Sequence, residues 1–110
     1  MCHQSVGLVA REIESRGIRT VLVGHFPHIA ERIRPPRMYI VDAPLGETFS
    51  SAYDYHMHEV IVHEALEFAR TGGSELIYYP PYVWKDYTGL VLPEGVEDPQ
   101  PIIIKNPRAL

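Results

Sequence analysis

The stretch IRTVLVG, residues 18–24, decides the fold. It is short, rich in β-branched side chains and almost wholly apolar, and it predicts a strand buried on both faces. A strand with one wet face would alternate apolar and polar residues instead. Ahead of it, QSVGLVAREIESR, residues 4–16, sets Val6, Val9, Ala10 and Ile13 at i, i+3, i+4 and i+7, with Arg11, Glu12, Glu14 and Ser15 turned away. That spacing predicts an amphipathic helix, and Gly17 stands where a left-handed residue would end it. Behind the strand, residues 25–33 read as a second, shorter helix. Pro35 and Pro36 stop it, because neither ring can donate to the helix ladder. MYIVDA, residues 38–43, reads as a second buried strand. Helix, buried strand, helix, buried strand is the rhythm of a parallel sheet with crossover helices. The fold class expected is α/β: a small three-layer domain with a short, mainly parallel sheet, like half of a flavodoxin or Rossmann arrangement.

Further along, residues 51–70 predict the longest helix, with Met57, Ile61, Ala65 and Phe68 on one stripe, Val62, Leu66 and Ala69 beside it, and Gly72 and Gly73 after it. ELIYYPPYVW, residues 75–84, holds one more strand before Pro80 and Pro81 break it. Residues 86–110, with Pro93, Pro99, Pro101 and Pro107, lack periodicity and read as an extended Pro-rich C-terminal arm. The expected division is therefore an α/β core over 1–74, then a last strand and arm over 75–110. Ile102, Ile103 and Ile104 would be poorly placed in water, so the arm is expected to lie on its own domain or on a neighbouring protomer, making a homo-oligomer the expected state.

With 110 residues, 45% of them apolar, the chain suffices for one domain whose core needs no metal or disulfide staple. Ten basic against 14 acidic side chains, a net charge of -4, provide no field for a phosphate backbone, so no nucleic acid is expected as a partner. No apolar run approaches the ~20 residues of a bilayer span, and no basic segment followed by an apolar one marks a secretory signal. The expectation is no membrane and a cytoplasmic location, with which the single cysteine, Cys2, agrees.

Cys2 and His3 stand just ahead of the first helix. There the unpaired backbone N–H groups and the helix dipole lower a thiol's pKa, making Cys2 a candidate catalytic thiol and His3 a candidate base. The alternative is a bystander cysteine at a frayed terminus. His25 and His28 follow a buried strand and Asp42 ends the next, and ligand sites in open α/β sheets lie outside the carboxyl ends of strands. All three are therefore candidate substrate-binding residues, although a polar loop and a turn-capping Asp would read the same way. His56 and His63 share a helix face with Glu59 and are the candidates for a metal. HMHEVIVH is not HExxH, since His58 and His63 are five apart where four are needed, and ordinary histidines on a polar face are the competing reading. There is no phosphate-binding glycine pattern and no GxSxG elbow.

CHQSVGLVAREIESRGIRTVLVG, residues 2–24, and RPPRMYIVDAPLGETFS, residues 34–50, resemble the redox-site segment of the selenoprotein B components of glycine, sarcosine and betaine reductases and, more closely, of D-proline reductase. With the long helix, the resemblance covers about two thirds of the chain. It implies reductive cleavage of an amino acid or amine derivative, with other reductase subunits or a thioredoxin-like electron donor as partners. In that family a selenocysteine or cysteine lies three positions ahead of the residue matching Cys2, and a neighbouring thiol resolves the intermediate by exchange. That position would fall two residues before Met1. The resemblance therefore implies either a member that lost the residue or a selenocysteine encoded upstream of Met1, with no cofactor in this chain. Cys2 alone can form a mixed disulfide but cannot close a catalytic cycle. Two other readings stay open: an oligomerising or regulatory α/β module without the chemistry, and a histidine-metal hydrolase.

Overall fold

The computed structural model describes residues 2–73, 76–85, 88–93, 95 and 100–105, apart from the side chains of Cys2, His3, Gln4 and Ala30. Helix α1 (Cys2–Ser15) leads to strand β1 (Leu22–Gly24), α2 (Pro27–Ile33), β2 (Arg37–Ile40), α3 (Tyr55–Thr71) and β3 (Leu76–Tyr79). After these come β4 (Val83–Lys85), β5 (Gly89–Val91) and β6 (Ile102–Lys105). The main sheet has the order β1-β2-β3-β6, parallel except for its last pair. Strands β4 and β5 form a separate antiparallel pair. The fold is α/β, as the helix and strand rhythm predicts.

Alternation along β2 assigns the two faces. Met38 and Ile40 join Leu22, Ile77 and Ala10 of α1 in one core, whereas Tyr39 and Val41 join Met57, Ile61 and Ala65 of α3 in the other. Helix α2 lies beside α1. Gly7 permits the contact, since a Cβ there would stand 2.5 Å from the Ile33 side chain. Strands β1, β2 and β3 step one way across the sheet while α2 and α3 cover opposite faces. The two crossovers therefore have opposite hand, and one departs from the usual right-handed connection.

Gly17, at φ 89°, ends α1 as expected. The Ile18 amide donates to Ile13 O and the Gly17 amide to Glu14 O, the two bonds of a Schellman turn. In the α3 layer Tyr39 is fully buried and stacks on Tyr78 with ring centroids 5.0 Å apart. Its hydroxyl donates to Glu64 at 2.6 Å, and the Tyr82 hydroxyl donates to the other oxygen of that carboxylate at 3.2 Å. Burial first, then the Glu64 charge, pushes the Tyr82 phenol up to about 12. Burial and the bond to Glu64 raise Tyr39 as well.

The C-terminal third, expected as an extended arm, holds two short strands. Within residues 86–110, Gly89–Val91 pairs with Val83–Lys85, and Ile102–Lys105 adds an antiparallel edge strand to β3 of the same chain. Local periodicity could not disclose this, because each strand is only three or four residues long and β6 finds its partner more than 20 positions away. The hairpin is held from afar: the buried Ser50 hydroxyl donates to Asp54 at 2.8 Å and accepts the Leu90 amide at 2.9 Å. Ser50 takes a left-handed φ of 81° to do so. The strand expected ahead of Pro80 and Pro81 is β3, with β4 added beyond the prolines, and the long helix starts at Tyr55 rather than Ser51. Residues 106–110, part of the expected arm, lie outside the described residues.

Candidate functional site

The carboxyl ends of β1 and β2 meet the first turns of α1 at one edge of the sheet. A cleft of about 280 Å³ opens there, walled by Val6 of α1, Leu22, Gly24 and His25 of the first strand and its loop, Ile29 of α2, Met38 of β2, and Leu45 and Thr48 of the loop that follows β2. Its walls are predominantly apolar. Gly24 is tight against Met38: a Cβ would come within 2.8 Å of the Met38 methyl. The loops 24–27 and 43–48 are neighbours, as the parallel sheet requires.

His25 joins them. Its Nδ1 lies 3.1 Å from the Val41 carbonyl and its Nε2 3.1 Å from the Thr48 hydroxyl. A carbonyl only accepts, so Nδ1 carries a proton and donates it. In the neutral ring Nε2 then accepts from Thr48. Each end of the imidazole thus holds one point of the segment that roofs the cleft. Thr48 was not a candidate from sequence; its hydroxyl reaches the site through a contact spanning 23 positions.

The other candidates separate. His28 is exposed and lines a neighbouring groove with Leu8, Ile29, Arg32 and Ile33. Helical rotation from Pro27 turns His28 outward and its neighbour Ile29 into the cleft. Asp42 is also exposed, and it borders a crevice with Pro80, Tyr82 and Leu90. The Ala43 amide donates to Val41 O at 3.0 Å, a tight turn centred on Asp42 that diverts the chain just past the strand. His56 and His63 are exposed on α3, and among the described residues no group of three or more His, Cys, Asp or Glu side chains could hold a metal ion. Cys2 and His3 open α1 as helical backbone, and their side chains are outside the described set. Val6, four residues beyond Cys2 in α1, lines the cleft.

No helix among the described residues is long and apolar enough to cross a membrane. Comparison of the chain with family models, curated proteins and solved structures finds no match.

Proposed function

We propose that the chain is a component of a thiol-based reductase, with Cys2 as its thiol, His3 beside it as a base and the His25 cleft as the place where substrate sits. The observation that carries this reading is the placement of α1. Its N-terminus comes to the carboxyl edge of the sheet, and Val6, one turn after Cys2, forms part of the cleft wall. At a helix N-terminus the free amides of the first turn and the positive end of the dipole favour thiolate. The substrate class implied by the resemblance is an amino acid or amine derivative. Turnover takes a second thiol or selenol and a thioredoxin-like dithiol donor, so the chain by itself is expected to exchange thiols but not to turn over.

The rate of alkylation by iodoacetamide against pH tests the assignment. Cys2 should titrate well below the ~8.5 of a free thiol, and Cys2→Ser should abolish labelling with little change in unfolding midpoint. A midpoint near 8.5 would favour the second reading, an oligomerising module without redox chemistry. One observation speaks for that alternative: Ile102, Ile103 and Ile104 are 63%, 48% and 42% exposed on the edge strand β6. Such an edge is suited to another subunit or a second copy.

A further inference from the structure

From the polarity of the cleft we infer that it takes a small molecule with an apolar body and an N–H or O–H donor, and that it selects against a free carboxylate. This rests on reading the cleft as the substrate site, and it narrows the two substrate classes to an amine derivative, setting aside an amino acid with a free carboxylate. Leu22, Ile29 and Met38 supply apolar wall, and no Arg, Lys, Asp or Glu is among the described residues lining it. A carboxylate placed there would lose water without gaining a cation. The volume, about 280 Å³, is at the small end for ligand sites.

The polar pair sets the sense of the hydrogen bond. With Nδ1–H committed to the Val41 carbonyl, the neutral His25 ring has only its Nε2 lone pair left, and the Thr48 hydroxyl donates to it. The Thr48 oxygen then has lone pairs free and no proton to give. Toward a ligand the pair is an acceptor, so the matching group is a donor. A secondary amide of a branched apolar acid fits; the free carboxylate of that acid does not.

Three probes of one shape separate these contributions: N-methylisovaleramide, methyl isovalerate and isovalerate. Titrated into the full chain and followed at the Met38 methyl and His25 ring resonances, the amide should bind more tightly than the ester by about three- to tenfold, for the one N–H it adds. Isovalerate should be weaker than the amide by about tenfold or more. Thr48→Val, which removes the acceptor while keeping the shape, should bring the amide down to the ester. The ranking is read without any thiol chemistry and the alkylation profile of Cys2 without any probe, so a failure of the thiol assignment and a failure of this inference are read separately. Equal binding of amide and ester to the unmodified chain, isovalerate binding as tightly as the amide, or no response to any probe would overturn it.

Discussion

Replacing Arg37 with methionine is expected to destabilise the fold by about 3–5 kcal/mol, the range for removing one partner of a buried ion pair. Arg37 is 3% exposed at the amino edge of the sheet. Its guanidinium donates to Glu14 at 2.6 Å, to Thr20 O at 3.3 Å and to Gly72 O at 2.9 Å. One side chain therefore ties the end of α1, the approach to β1 and the end of α3 to β2. Methionine fills much of the volume but leaves a half-buried carboxylate without its cation. The double variant Arg37→Met with Glu14→Gln should recover part of the loss, since the stranded charge is gone. Urea unfolding reads both, and a loss under about 1 kcal/mol for Arg37→Met would show that the clamp does not determine stability.

The same pair fixes an acid dependence. Burial by itself would raise the Glu14 carboxyl, but the Thr20 amide and hydroxyl and the Arg37 charge outweigh it and hold the group below its ordinary 4.5. A carboxyl lowered on folding contributes stability that is complete above its unfolded pKa and is lost as pH falls through the folded one. The unmodified chain should therefore weaken on acidification below about 4.5. Arg37→Met, whose Glu14 is lowered less, should lose less over that window.

Ile61→Ala is the second large effect, about 2–5 kcal/mol for a large-to-small change in a closed core. Ile61 is 1% exposed among Tyr39, Val41, Met57 and Leu90. Leu66→Ala, five residues further along α3 and 62% exposed, should stay within about 0.5 kcal/mol. Equal losses would mean that the helix presents a different face to the sheet.

That contrast shows what was legible. The stripe Met57, Ile61, Ala65, Phe68 comprises the buried residues of α3, because helical period and burial are set by the same rotation per residue. Gly17 was readable for a similarly local reason, since its left-handed φ closes a turn made only of its neighbours. The strands at residues 89–91 and 102–105 were not readable. Three or four residues carry too little periodicity to stand apart from Pro-rich chain, and their pairing depends on contacts such as Ser50 to Leu90, across 40 positions. In the site, His25 follows from its place after a buried strand. Asp42 has the same sequence logic, yet the tight turn at that residue breaks the alternation that would have carried it to the His25 face. Thr48 gave no signal, as a lone Thr in a loop has none until the fold brings a histidine to it.

If Cys2 and the His25 cleft form one site, a nitroxide attached to Cys2 stands beside the cleft. The spectrum of the labelled full chain should show strong paramagnetic broadening at Val6, His25, Met38 and Thr48, with Gly72 and Leu76, at the opposite edge of the sheet, remaining sharp. Sharp His25 and Met38 resonances beside broadened Gly72 and Leu76 would put the thiol at the wrong edge and contradict the proposed site.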